Sequence, residues 1–351
     1  MKKNSWASLA ATASVAAIAL TACSSDSGGG DADGRACVIL PDAASSPRWE
    51  NGDRPALDEA ITAAGFSVDI QNAEGDTGQY ATIAEQQLTQ GCDVMLLVDL
   101  QGAAVSVMEN AQAEGIPVIA YDRPIAGADY YVSFDNVRVG ELEGQAVLDG
   151  LDANGIDPAD AVVVYIGGDP ADGNAAMFYE GATSVMEGAG ITAAAEPPGL
   201  WDGEHSATVF EQALTDLGGE VDAVWAANDT NAAGVITILD KNGLTVPVSG
   251  QDASVAGLQN VLLGKQTATV YKPFQVEAEA ASELAIALLN GETPEADMAL
   301  EDGTPFIAVD PILVGPSEVQ QVIDDGNADY DEICAGDVAS ACDEVGLEAA
   351  A

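Results

Sequence analysis

Short apolar runs recur along this chain, and each leads to polar or aromatic residues. Val38-Ile39-Leu40 is followed by Arg48-Trp49, Val118-Ile119-Ala120-Tyr121 by Asp122-Arg123, and Val162-Val163-Val164-Tyr165 by Asp172 and Asn174. Ile191-Thr192-Ala193-Ala194 precedes Trp201, and the run 221–225 precedes Asn228-Asp229. The run 246–249 precedes Gln251-Asp252, and 268–271 leads into Lys272. Runs of this length between turn signals predict buried strands. Helix-period segments lie between them at 55–64, 79–90, 103–113, 139–151, 175–187, 207–217, 231–239, 255–263, 276–289 and 317–323. Gly65, Gly91, Gly115, Gly190, Gly218 and Gly243 stand near the ends of these segments, as helix C-caps do.

Strands alternating with helices of this length predict βαβ units and parallel sheets. Ten or more strands would be unusual in one open sheet, so two sheets in two lobes are expected. The break is expected near Phe134-Asp135-Asn136, after a strand at 130–133. The helix 276–289 then returns to the first lobe, and a strand at 311–314 crosses back with its helix. The lobes expected are 35–136 with 273–308, and 137–272 with 309–345. Three crossings make a hinge. In open parallel sheets ligands bind beyond the carboxyl ends of the strands. The residues following the runs are therefore the candidates for a site.

Composition narrows what that site can hold. Of 351 residues 48% are apolar, enough for a substantial core. The net charge is −48, with only 10 Lys plus Arg. Such acidity argues against nucleic acid, whose phosphates need Lys and Arg, and against electrostatic docking on anionic lipid. It suits a soluble monomer. Arg48, Arg123 and Lys272 nevertheless stand at strand ends, which marks them for use there. For any one Arg taken alone, an ordinary salt bridge is the better reading.

The N-terminus reads as an export signal. Lys2 and Lys3 precede an apolar stretch at 6–20, too short to span a membrane comfortably. Leu20-Thr21-Ala22-Cys23 resembles the lipobox of bacterial lipoproteins. Residues 1–22 are then a signal peptide, Cys23 is lipidated, and 23–34 form a flexible tether. The membrane is touched through that anchor only. A plain secretory signal with a chance cysteine is the alternative. Four cysteines remain, and an even number outside the cell suggests pairing. Cys37 opens the first strand and Cys92 shortly precedes the third, its expected neighbour. Cys334 and Cys342 are close in sequence. Cys37–Cys92 with Cys334–Cys342 is thus the favoured connectivity of three.

The candidate set holds three cations (Arg48, Arg123, Lys272), three carboxylates (Asp122, Asp172, Asp252), two amides (Asn174, Asn228) and Trp201. A phosphate site would be net positive or sit on a glycine-rich loop. A balanced ring of donors and acceptors suits a neutral polyol, whose hydroxyls carboxylates accept from and Arg donates to. Trp201 would cover the apolar face of a sugar ring. Trp49 either stacks on the ligand or walls the cleft, and Trp225 belongs to the core. No metal site is expected. The only histidine is His205, no CxxC pair occurs, and the loops at 152–154 and 325–329 miss calcium-loop spacing. No catalytic motif appears, and Asp residues interleaved with Arg and Lys are held ionised rather than poised for acid catalysis.

Taken in order, Ser46-Pro47-Arg48-Trp49, Ala120-Tyr121-Asp122-Arg123-Pro124, Ser133-Phe134-Asp135-Asn136, Val139-Gly140-Glu141-Leu142, Ala227-Asn228-Asp229, Ser249-Gly250-Gln251-Asp252 and Val270-Tyr271-Lys272-Pro273 form a specific set. The set resembles the bacterial xylose-binding proteins and the related multiple-monosaccharide-binding proteins. The resemblance covers about residues 36–325. It implies an α/β fold with two Rossmann-like lobes, parallel sheets and a three-crossing hinge, the periplasmic binding protein-like type I architecture. It implies a monosaccharide ligand, D-xylose first and glucose, galactose or arabinose as alternatives, delivered to the permease of an ABC importer. No cofactor is implied. The residues it marks as ligand contacts are Arg48, Asp122, Arg123, Asp172, Asn174, Trp201, Asn228, Asp252 and Lys272. Gly173 departs from the pattern, standing where a bulkier polar residue is usual, and the stretch around Trp201 is short. A sugar sensor for a membrane receptor is a rival reading. A LacI-like regulator shares the fold but needs an N-terminal helix-turn-helix and a basic surface, which this chain replaces with a lipobox and strong acidity.

Overall fold

The computed structural model describes residues 34–350 except Ser45, Pro47 and Asp297. The expected signal peptide, Cys23 and the tether up to residue 33 lie outside the described residues. In the first lobe β1 (Arg35–Leu40) leads through a π-helical turn (Trp49–Asp53) to α1 (Arg54–Ala63). Then follow β2 (Ser67–Asn72), α2 (Thr77–Gln90), β3 (Val94–Leu97), α3 (Ala103–Ala113), β4 (Val118–Tyr121) and β5 (Tyr130–Phe134). Strands β3, β4 and β5 are buried at every position, as expected where helices cover both faces of a parallel sheet. The sheet runs β2-β1-β3-β4-β5, all parallel, which is the flavodoxin-like order.

The second lobe repeats the scheme. It comprises α4 (Asn136–Ala153), β6 (Val163–Ile166), α5 (Gly173–Gly188), β7 (Ala193–Ala195), α6 (Gly203–Asp216), β8 (Ala223–Ala226), α7 (Asp229–Asn242), α8 (Val255–Leu262) and β9 (Thr269–Tyr271). Strands β7-β6-β8 pair in parallel. The expected strand at 246–249 shrinks to a bridge from Val248 to Val224, followed by one from Gln251 to Val270. Pro247 has no N–H to give to a ladder, so it contributes only its carbonyl, to Val224 N at 2.8 Å.

The chain then crosses back. Helix α9 (Phe274–Leu289) packs on α1, with Ala278, Ala281, Leu284 and Ala285 against Leu57 and Ile61. A short β10 (Met298–Ala299) and β11 (Pro305–Val309) extend the first sheet beyond β5. Strand β11 was not anticipated: it opens on a proline, tolerated at the first position of a strand. Finally β12 (Ile312–Val314) pairs antiparallel with β9, and α10 (Val319–Asp324), α11 (Tyr330–Ile333) and α12 (Ala339–Val345) complete the chain. It thus changes sheets three times, after β5, β9 and β11. Cys37 is bonded to Cys92 and Cys334 to Cys342. No described helix is long and apolar enough to cross a membrane.

Candidate functional site

Residues beyond the carboxyl ends of the strands converge on one cavity of about 40 Å³ between the lobes. All ten expected residues line it: Arg48, Trp49, Asp122, Arg123, Asp172, Asn174, Trp201, Asn228, Asp252 and Lys272. Ser46, Phe178 and Gln251 line it too, although they were not expected as site residues. Larger openings of about 660 and 530 Å³ flank it, one sharing Arg123, Asp172 and Trp201, the other Arg48, Asp252 and Lys272. The charged groups converge on the small central cavity, which makes it rather than its larger neighbours the candidate site.

Local structure explains why strand ends carry this chemistry. Each helix of a βα unit starts where its strand stops, and its first N–H groups need a side-chain acceptor. Asp172 caps α5 by accepting from Asn174 N at 2.9 Å, and Asn228 caps α7 by accepting from Asn231 N at 2.8 Å. Each has a second polar group left for the cavity. The backbone bends sharply here as well. Asp122 (φ 62°), Trp201 (φ 57°) and Asp252 (φ 95°) are non-glycine residues in the left-handed region. Such strain persists where the surroundings over-determine it, and it clusters at functional sites.

Each cation in the cavity faces a carboxylate. Arg48 Nη1 lies 3.1 Å from Asp122 Oδ2, Arg123 Nε 3.2 Å from Asp172 Oδ2, and Lys272 Nζ 3.0 Å from Asp252 Oδ1. Asn228 Nδ2 donates to Asp252 Oδ2 at 3.4 Å. Burial works against the charge on Lys272, but Asp252 and Asp122 outweigh it and raise its pKa. Burial also raises Asp172, with Arg123 pulling it back. Asn174 reaches from α5 into the first lobe. Its Nδ2 donates to Asp122 O at 2.9 Å, and its Oδ1 accepts from Tyr131 Oη at 3.2 Å and Asn136 Nδ2 at 3.0 Å. Gly173, just before it, lies under Pro124: a Cβ there would be 2.7 Å from Pro124 Cγ, so a larger residue would push the lobes apart.

The aromatic residues divide by role. Trp49 is buried, with the Arg48 and Arg123 guanidinium carbons 4.6 and 5.8 Å from its ring centroid, so it forms a wall for cations. Trp201 meets Phe178 edge-on at 6.2 Å, and its Nε1 is buried with no partner among the described residues. Trp225 is fully buried and donates to Glu143 at 2.7 Å, as a core residue would. Asp325 and Asn327, from the loop tested above for calcium spacing, serve the Tyr271 hydroxyl instead.

Four buried carboxylates behind the cavity were missed: Asp53, Glu143, Asp229 and Glu277. Glu277 had a signal, since it interrupts the apolar stripe of α9. Asp229 sits at the start of α7 and accepts from Gln266 Nε2, Thr269 Oγ1, Ser254 N and Ser254 Oγ at 2.8 to 3.0 Å. It thereby clamps the strained 252–254 turn that carries Asp252. Burial, then Asp252, push its pKa up to about 7, against these hydrogen bonds. A carboxyl raised this way stabilises the fold most below its unfolded pKa, and that contribution is lost as pH rises through about 7. Asp229→Ala is therefore expected to cost more stability at about pH 4 than at about pH 8. Denaturant unfolding at both pH values is the measurement, and an equal cost would mean that Asp229 stays ionised throughout.

A family model described as a periplasmic binding protein domain matches residues 37–293. The D-xylose-binding periplasmic protein of Escherichia coli (strain K12) is 36% identical over 293 residues, 80% of this chain and 86% of that protein. The multiple sugar-binding periplasmic protein SbpA of Azospirillum brasilense is 31% identical over 301 residues, covering 78% of this chain and 84% of its own. An ABC transporter solute binding protein from Clostridium phytofermentans, solved with bound β-D-glucose, superposes with a TM-score of 0.76 at 27% identity, over 85% of this chain and 99% of that one. With the family model matched over most of the described fold, and two relatives above 30% identity over more than four fifths of their own length, this chain belongs to the periplasmic binding protein family, whose members are solute receptors rather than enzymes.

Proposed function

We propose that this protein captures a monosaccharide outside the cytoplasm, D-xylose in preference to others, and hands it to the permease of an ABC importer. The observation that carries the reading is the cavity itself: three cations, each already faced by a carboxylate, around a space flanked by aromatic rings. A net-neutral set of donors and acceptors fits hydroxyls and disfavours an ionic ligand. Trp201 Nε1 and Gln251 Oε1, buried without partners among the described residues, are a donor and an acceptor that ligand hydroxyls would satisfy. The preference for xylose draws on the D-xylose-binding relatives at 36% and 35% identity. The multiple sugar-binding relative and the glucose complex support a second reading, a receptor that also takes hexoses.

In this reading Arg48, Asp122 and Arg123 bind from the first lobe, and Asp172, Asn174, Trp201, Asn228 and Asp252 from the second, with Lys272 at a crossing. Cys23 carries the lipid that holds the receptor, as a monomer, at the membrane. A cavity of about 40 Å³ is far below the roughly 300 Å³ of an ordinary small-molecule site, so the lobes part to admit the sugar and close around it. A thermal-shift panel of monosaccharides on the mature chain tests this, since a ligand bound only by the native state raises its melting temperature. D-xylose should give the largest shift, and scattering at saturation should show a smaller radius of gyration. A larger shift with glucose would favour the second reading, and no shift with any monosaccharide would refute both.

A further inference from the structure

One guanidinium in this cavity is held by three carboxylates. Arg48 Nε donates to Asp53 Oδ2 at 2.8 Å, and its Nη2 donates to Asp53 Oδ1 at 2.7 Å and to Glu277 Oε2. Its Nη1 donates to Asp122 Oδ2 at 3.1 Å, and Trp49 covers its face. Of its five N–H groups, one on Nη1 has no partner among the described residues. Asp53 alone already gives Arg48 a bidentate partner. A third anion on one buried cation adds repulsion and desolvation cost, so a plain structural ion pair does not account for Glu277.

Its place in the chain does. Glu277 lies on the first turn of α9, five residues after Lys272, which pairs with Asp252 of the second lobe. The crossing segment therefore holds a second-lobe carboxylate at one end and the first-lobe guanidinium at the other. The turn bearing Arg48 is pressed against it: a Cβ on Gly52 would lie 2.3 Å from the Phe274 ring. We propose that Glu277 is a positioning residue for the sugar site, holding the Arg48 guanidinium from the crossing helix so that its remaining Nη1–H is presented to a ligand hydroxyl. This rests on the monosaccharide reading of the cavity.

A pH dependence follows. Glu277 is faced by Arg48 just before the π-helical turn and Asp53 at its end, by Tyr121 and Asp122 from the end of β4, and by Tyr131 from β5. Burial pushes its pKa up most, Arg48 pulls it down, Asp122 and Asp53 push it up again, and the result is about 8. At neutral pH Glu277 is thus mostly protonated. A bound sugar excludes water and makes its charge costlier still. Ligand binding then favours protonated Glu277, and affinity falls as pH rises past about 8.

Calorimetric titration with D-xylose at about pH 7 and about pH 9.5, on the unmutated chain, Glu277→Gln and Glu277→Ala, tests the proposal. Glu277→Gln keeps a neutral hydrogen-bonding group, so it should bind within about threefold of the unmutated chain at pH 7 and lose its extra weakening at high pH. Glu277→Ala should bind about tenfold or more weakly, with melting showing that it is folded. Asp229 titrates in all three, so the difference isolates Glu277. A parallel readout needs no sugar: the Arg48 Nη protons, among them the Nη2–H that donates to Glu277, should exchange faster with water in Glu277→Ala than in Glu277→Gln. Unchanged affinity and exchange in Glu277→Ala, or an unchanged pH profile in Glu277→Gln, would overturn the proposal. If the unmutated chain binds no monosaccharide, the receptor reading fails and the exchange of Arg48 still decides whether Glu277 positions it.

Discussion

Trp201→Ala is expected to weaken monosaccharide binding about 100-fold, the scale of a dominant contact residue, while leaving the fold in place. The ring packs against Phe178 and lies close over Gly168, where a Cβ would come within 2.2 Å of it. It borders both the central cavity and the larger opening beside it. It is a partly buried neighbour of the second-lobe core, whose buried members lie mostly on α4, α5 and the strands. Removing it takes away a flat apolar face and an N–H donor at the cavity, and little that the lobe needs to fold. Titration calorimetry together with a melting curve separates the two effects. Unchanged affinity would make Trp201 a mere wall of the cleft. A collapsed melting transition would make it a core residue.

The largest effect on stability is expected at Cys37–Cys92. The bond closes a loop of 55 residues between β1 and a cysteine two residues before β3, the neighbour of β1 in the sheet. By the loop-closure relation, removing it frees the unfolded chain by about 4 kcal/mol. Cys334–Cys342 closes only 8 residues, worth about 2.5 kcal/mol by the same relation. Replacing Cys37 and Cys92 with alanine should therefore lower unfolding stability more than the same change at Cys334 and Cys342. Denaturant melts of the two double variants, beside mass spectrometry of the unreduced chain, check both the pairing and the ranking. Equal losses would mean that the loop-entropy account does not apply here.

The alternation of strands and helices was readable from the chain alone because each unit is local. Apolar runs, glycine stops and capping residues such as Asp172 and Asn228 all act within a few residues of themselves. The cavity residues were readable for a related reason. A parallel sheet places whatever follows its strands at one edge, so ten residues scattered from Arg48 to Lys272 could be gathered without knowing a distance. The weak strand at Val248 and the proline-led β11 were misread or missed, because their pairing depends on neighbours distant in sequence.

The carboxylates behind the site depended entirely on the tertiary fold. Glu277 meets Arg48 across 229 positions, and Asp229 meets Thr269 across 40. Composition led to the expectation that Asp residues interleaved with Arg and Lys stay ionised. Glu277 lay outside that expectation: burial, with Asp122 and Asp53 adding to it against Arg48, raises its pKa to about 8. The hydrophobic pattern of a sequence records which positions leave water. The protonation of a buried group depends on which other charges leave water beside it, and only the packed lobes determine that.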